Sequence, residues 1–207
     1  MANSPLAESE IDEINVSNGR IFRIDDPGRG LAIAEVMHAA DLTEIEEKGK
    51  VGPNLLQMMK YISYTHSAVF AEVRVDEVLG VVRVTKIVCA TAAGRILNPK
   101  TARSQILGGV VMGIGMALHE EAMTDHRLGK IMNHNFAEYH IPAHADIEDI
   151  EVIFVDEHDD KVSPLGVKGL GEIGIVGTAA AVANAIFHAT GKRVRDFPIT
   201  IDKLLTA

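Results

Sequence analysis

The sequence predicts an α+β fold: a mixed sheet packed with one glycine-rich and one alanine-rich helix. Three observations carry this. Residues 70–76 alternate, with Val73 and Val75 on one face and Glu72, Arg74 and Asp76 on the other, and a β-branched run follows at 81–90. Two uncharged stretches, 106–118 and 173–191, have the composition of buried helices. Strands and helices mix without regular βαβ alternation, which makes α+β the better class.

Each element follows from local pattern. Leu31–Asp41 places Ile33, Val36, Met37 and Ala40 at helical spacing, and Glu44–Lys50 is a charged connector. Phe70–Asp76 and Val81–Ala90 are two strands joined by a hairpin loop at Glu77–Gly80. Gly94–Thr101, with Gly94, Asn98 and Pro99, reads as a loop. A helix over Ile106–Glu121 carries Gly108, Gly109, Gly113 and Gly115. Each glycine costs about 1 kcal/mol against alanine in a helix interior, so something must pack close to this backbone: a helix, a sheet or a cofactor. Ile150–Val155 is a strand, Asp156–Lys161 a charged turn, and Ser163–Gly174 a loop. Ile175–Thr190 is the alanine-rich helix, with Gly191 as its stop. A short amphipathic end, Asp202–Leu205, closes the chain.

With 207 residues and 47% hydrophobic content, the chain can bury a sizeable core and reads as a single domain over 1–207, less regular over 1–60. Twenty basic against 29 acidic residues disfavour nonspecific nucleic-acid or anionic-membrane binding. Cys89 is the single cysteine, which excludes an intrachain disulfide and an all-cysteine iron–sulfur cluster held by this chain alone. It is expected to be a buried small hydrophobe, and Met112 and Met116 are expected in the core. The N-terminus, Met1 to Glu8, shows no signal-peptide pattern. Residues 173–191 are long enough for a membrane span but carry Thr178, Asn184, His188 and Thr190, and are expected to form a core helix.

Gly169-Leu170-Gly171-Glu172-Ile173-Gly174 matches G-x-G-x-x-G, the pattern of a nucleotide-binding loop. The context disagrees: no buried strand precedes it, and Glu172 would repel a pyrophosphate. Glu172 itself has two readings. Flanked by Leu170 and Ile173, it is a sheltered carboxylate whose basicity is raised by low polarity. Alternatively it is a helix-end carboxylate complementing the macrodipole. The nine histidines offer no metal site: His140 and His144 are separated by Pro142, His134 lies in a turn, and His119-Glu120-Glu121 lacks a second histidine.

Three segments occur together in order: Gly94-Arg95-Ile96-Leu97-Asn98-Pro99; Gln105 with Gly108-Gly109; and Pro164-Leu165-Gly166-Val167-Lys168-Gly169-Leu170-Gly171-Glu172. With the Val194–Leu205 tail, they resemble the C-terminal part of the molybdenum-binding subunit of the xanthine dehydrogenase/aldehyde oxidase family, in its bacterial aldehyde oxidoreductase wording. The resemblance runs from about residue 60 to the end, and more loosely from residue 5. It implies a molybdopterin cofactor-binding fold, oxidation of aldehydes or N-heterocycles with water-derived oxygen, and Glu172 as the general base. It further implies molybdopterin cytosine dinucleotide held by Arg95, Ile96, Leu97, Asn98, Pro99, Lys100, Thr101, Gln105, Lys168, Gly169, Leu170 and Gly171, with no direct protein ligand to the metal. Arg95, Lys100 and Lys168 would neutralise the pyrophosphate, and Gly108 and Gly109 would let the cofactor lie on the helix start. Iron–sulfur and FAD subunits, and the remaining part of the molybdenum subunit, are the implied partners. The implied compartment is cytoplasmic or, through a partner's signal, periplasmic.

The chain departs from that pattern in two ways. Ala92 and Ala93 stand where many relatives carry an acid and a cysteine. The family's subunit is also several times longer, so the chain is expected to be a fragment, inactive alone. Two alternatives stand beside the enzyme reading: a non-catalytic assembly module of the same fold, and a nucleotide-binding domain using the 169–174 loop.

Overall fold

The computed structural model describes residues 4–49 and 59–206. Lys50 of the charged connector, the 50–58 part of the less regular N-terminal stretch and Met1–Asn3 lie outside the described residues. The chain divides into two compact units, Met1–Gly52 and Pro53–Ala207.

The first unit holds a 3-10 turn at Ile11–Glu13 and a three-stranded antiparallel sheet, β1 (Ile14–Ser17), β2 (Arg20–Arg23) and β3 (Gly30–Ala32), in that order. Asn18 and Gly19 link β1 to β2 with positive φ of 49° and 72°, the geometry whose twist matches paired strands. The Arg23 guanidinium pairs with Asp25 at 2.8 Å and Glu13 at 3.0 Å. Helix α1 (Ile33–Ala39) falls inside the segment predicted from its spacing.

The second unit is built on a mixed sheet in the order β4–β5–β8, where β4 is His66–Asp76, β5 is Val81–Ala92 and β8 is Ile150–Phe154. β4 and β5 form the expected hairpin; β8 runs parallel to β5. The register places Val69, Cys89 and Val152 side by side, and Ala71, Ile87 and Ile150 beside them, on one face. That face is the core: Ile87 and Cys89 are fully buried. Two short strands, β6 (Thr124–Asp125) and β7 (Lys130–Ile131), pair within the connection that precedes β8.

Helix α2 spans Pro99–Leu118, starting earlier than the predicted Ile106 and ending before Glu121. The residues read as loop formers start it instead. The Asn98 carboxamide accepts a hydrogen bond from the Thr101 N–H at 3.2 Å, and Pro99 occupies the first turn, where its missing N–H costs nothing. Ile106, Val110, Ile114 and Ala117 make its buried stripe. Met112 and Met116 are not in the core; at 61% and 44% exposure they lie outside the buried stripe of α2.

The alanine-rich stretch folds as α3 (Ile173–Val176) and α4 (Thr178–Thr190), divided at Gly177 and stopped by Gly191 as predicted. Over 173–190 it is long and apolar enough to cross a membrane by length and composition. In the fold, its Thr178, Ala179, Val182 and Ile186 are buried. A final helix, α5 (Ile201–Thr206), closes the chain.

Two of the α2 glycines, Gly109 and Gly113, serve one crossing with the 173–178 segment. A Cβ on Gly113 would meet the Thr178 Cβ at 2.5 Å, one on Gly109 the Ile175 nitrogen at 3.0 Å, and one on Gly174 the Ile106 carbonyl at 2.8 Å. Backbone packed on backbone is thus what these positions select, and Gly109 faces α3 rather than a cofactor. Gly108 faces open space. Gly113→Ala is expected to destabilise the chain by about 1–3 kcal/mol through overpacking. Gly108→Ala is expected to stabilise it by about 0.5–1 kcal/mol through helix propensity. Urea denaturation distinguishes the two; equal effects would dissociate the glycines from the crossing.

Candidate functional site

The crossing sets the loop before α3 against the N-terminal half of α2. A Cβ added to Gly171 would have the Gln105 Oε1 at 3.8 Å as its nearest neighbour. Between the loop and the helix lies a depression of about 290 Å³. Arg95, Ile96, Leu97, Asn98, Thr101, Gln105, Lys168, Leu170 and Gly171 line it, with Ala93, Ala102 and Val167. Residues far apart in the chain are therefore gathered on one surface. Pro99, Lys100 and Gly169 adjoin the lining without forming it.

Two backbone bonds and an isolated bridge hold the walls. The Arg95 N–H donates to the Gly166 carbonyl at 2.8 Å, the Lys168 N–H to the Ala93 carbonyl at 3.2 Å, and Gly94 bridges Val167. Gly94 has φ +64°, and a Cβ there would collide with the Gly166 carbonyl oxygen, so both conformation and proximity require glycine. From outside, the Thr65 hydroxyl donates to the Gly169 carbonyl at 2.5 Å.

The electrostatics of the site differ from the expectation at one residue. The Lys168 ammonium is 7% exposed and lies 2.6 Å from Glu157 and 3.0 Å from Asp159. Its charge is already countered twice, leaving Arg95 and Lys100, both exposed, as the cations of this surface. The same contacts hold Asp159 down to about 2, through the Lys168 hydrogen bond first and the Lys161 N–H next. Glu157 is lowered by Lys168 and then by the Gly94 N–H, and Lys168 is raised by the two carboxylates. Within the charged turn Asp156–Lys161, Glu157 and Asp159 turn inward, while Asp156, His158 and Asp160 are exposed. No local sequence pattern marks the inward pair; the one signal is an acidic run within reach of an isolated lysine beside glycines.

Arg95 and Ile96 also border a depression of about 620 Å³ lined by 156–160 and 163–166. Its acidic wall disfavours anions. The smaller depression has the N-terminal turn of the 20-residue α2 in its lining, and that end of a helix favours them. The N–H groups of Gly169, Leu170 and Gly171 have no acceptor among the described residues. Open N–H groups, a helix N-terminus and exposed cations together fit a phosphate-bearing group.

Glu172 follows Gly171 at the start of α3 but is exposed, contrary to the expectation of a sheltered carboxylate. Leu170 and Ile173 pack against the core, and the two residues between them, Gly171 and Glu172, are exposed. Its carboxylate makes no capping bond and has no partner among the described residues. The loop also fails as a dinucleotide-binding βα turn: residues 163–166 before it form no strand, and α3 after it has four residues. Among the described residues, no group of three or more His, Cys, Asp or Glu could hold a metal ion.

A family profile for the molybdopterin cofactor-binding domain matches residues 2–148, which includes Arg95–Gln105 and stops before the 168–172 loop. The chain is 53% identical over 146 residues to the aldehyde oxidoreductase molybdenum-binding subunit PaoC of Escherichia coli K12, covering 70% of this chain and 20% of the relative. It is 38% identical over 135 residues to the putative xanthine dehydrogenase molybdenum-binding subunit XdhA of the same organism, covering 65% and 18%. The chain thus spans about a fifth of the length of these relatives. The crystal structure of quinoline 2-oxidoreductase from Pseudomonas putida 86 superposes with a TM-score of 0.74 over 97% of this chain and 26% of that one; at 22% identity it establishes the shared α+β fold.

The Asp159 carboxyl is expected to titrate near 2, and to move up toward the ordinary 3.8 in Lys168→Met. Because the folded-state value is depressed, the pairing stabilises fully above the ordinary aspartate range and is lost as pH falls through about 2. Side-chain carbonyl NMR against pH checks both values.

Proposed function

The chain belongs to the molybdopterin cofactor-binding domain family, and we propose from that premise that it is the cofactor-binding portion of a molybdenum hydroxylase, acting on aldehydes or N-heterocycles. The observation that carries this is the gathering of Arg95–Asn98, Thr101, Gln105, Lys168, Leu170 and Gly171 around one depression. In this reading the whole of 1–207 works as one cofactor-binding portion, and the group held is molybdopterin cytosine dinucleotide.

The residues divide the work by chemistry. Arg95 and Lys100 neutralise the pyrophosphate, and the N–H groups of Gly169, Leu170 and Gly171 donate to its oxygens. The Gln105 amide, which can both donate and accept, orients a polar edge of the cofactor. Ile96, Leu97 and Pro99 supply apolar contact, and Asn98 and Thr101 hold the helix start. Lys168, paired with two carboxylates, keeps the loop in place rather than meeting phosphate.

When bound, the molybdenum centre supplies an acidified water-derived oxygen and accepts two electrons. Glu172, adjacent to Gly171 and without a partner among the described residues, would serve as the general base, its carboxylate taking up a proton. Overall, an aldehyde and water give a carboxylic acid, two protons and two electrons. The electrons leave through iron–sulfur and FAD partner subunits, and the remaining part of the molybdenum subunit completes the substrate pocket. The setting is cytoplasmic or periplasmic.

The exposure of Glu172 favours a second reading, a non-catalytic assembly module of the same fold. Metal content and the cofactor absorbance spectrum of the purified complex separate the two. In the complete enzyme, Glu172→Gln is expected to abolish aldehyde oxidation with molybdenum occupancy intact; substantial remaining turnover removes Glu172 from the mechanism. Gln105→Ala is expected to lower molybdenum content after purification, and unchanged content would count against this cofactor site.

A further inference from the structure

One side chain outside the depression touches both of the loops that form it. Glu157 follows β8, and its two carboxylate oxygens point different ways. Oε2 accepts the Gly94 N–H at 2.7 Å, at the root of the 94–98 loop. Oε1 accepts from the Lys168 Nζ at 2.6 Å, at the root of the 168–171 loop. Lys168 is in turn anchored to Asp159 Oδ2 at 3.0 Å. A carboxylate is a rigid plane with a fixed spread between its oxygens, so a single group accepting from both roots sets their separation. The short distances and the low exposure of Lys168 make this link stiffer than a surface ion pair. Removing one partner would leave a nearly buried ammonium short of an acceptor, which is far more disruptive than losing an exposed pair.

The other links between the loops are backbone ones: the Arg95–Gly166 and Lys168–Ala93 bonds and the Gly94–Val167 bridge pair residues 93–95 with 166–168. Glu157 ties both to the end of β8, whose residues pair in the core sheet. It is a side-chain route from the sheet to both loop roots, beside the direct continuation of β5 into Ala93 and Gly94.

We propose that Glu157 is a positioning residue: through Gly94 and Lys168 it sets the gap between the 94–98 and 168–171 loops that the phosphates of the pterin dinucleotide enter. This rests on the cofactor-binding function proposed above. Cofactor retention then depends on a side chain that need not touch the cofactor, as supporting shells commonly do for bound groups.

The test uses the holoenzyme carrying this chain, with Glu157→Ala and Glu157→Gln beside the wild type. Two quantities are read: the rate at which pterin is lost on dilution, and amide hydrogen exchange at Gly94, Arg95 and, as a core reference, Ile87, whose N–H donates to the Asp149 carbonyl. Glu157→Ala is expected to speed exchange at Gly94 and Arg95, and pterin loss, by about tenfold or more, with Ile87 unchanged. Glu157→Gln keeps an acceptor oxygen for Gly94 but loses the charge toward Lys168, so it is expected to fall between. Faster exchange at Arg95 without faster pterin loss overturns the proposal. So does a rise at Ile87 equal to that at Arg95 in both variants, which would make Glu157 a general stabiliser. A wild-type complex that carries no pterin overturns the cofactor-binding reading itself, and is recognised before any variant is compared.

Discussion

The structure depends on how closely α2 approaches the 173–178 segment. Gly174 lies on the Ile106 carbonyl, Gly109 on the Gly174–Ile175 backbone, and Gly113 on the Thr178 side chain. At Gly109 and Gly174 the two backbones meet directly, at Gly113 the helix backbone meets the Thr178 side chain, and packed interiors leave no slack to absorb an added methyl group. This crossing brings Gly171 beside Gln105 and so places the glycine loop along the start of α2. The depression is a consequence of that approach, not a feature of either segment alone.

Charge then gives the surface a direction. On one side stand the N-terminal turn of α2, Arg95 and Lys100; on the other is the acidic segment 156–160. Lys168, between them, is paired with Glu157 and Asp159. An anion meets a favourable field in the smaller depression and an unfavourable one across Arg95. The long backbone crossing and the short charged clasp thus act in sequence: the first brings the loops together, and the second holds them at one spacing.

Much of this was legible in the residues. The alternation of 70–76 and the β-branched run of 81–90 announced the hairpin, and Gly191 marked the end of the alanine-rich helix. Residues from all three ordered motifs, namely Arg95–Asn98, Gln105, Lys168, Leu170 and Gly171, line one depression. Other signals were present but ambiguous. Asn98-Pro99 breaks a helix when it stands inside one and starts a helix when it stands before one; the capping bond to Thr101 decides. Met112 and Met116 have core-like chemistry, but the helix phase that buries Ile106, Val110 and Ile114 turns both methionines outward.

By itself the sequence determined the β4–β5 hairpin, the core of the two long helical segments and the Gly191 stop, because these depend on neighbours within a few positions along the chain. Only the tertiary structure decided that Glu172 is exposed, that Lys168 is committed to Glu157 and Asp159, and which glycines face backbone and which face open space. Those outcomes depend on groups brought together from distant parts of the chain, such as Gln105 and Gly171 or Gly94 and Glu157. Periodicity describes which way a side chain points from its own element; what it then meets is settled by packing.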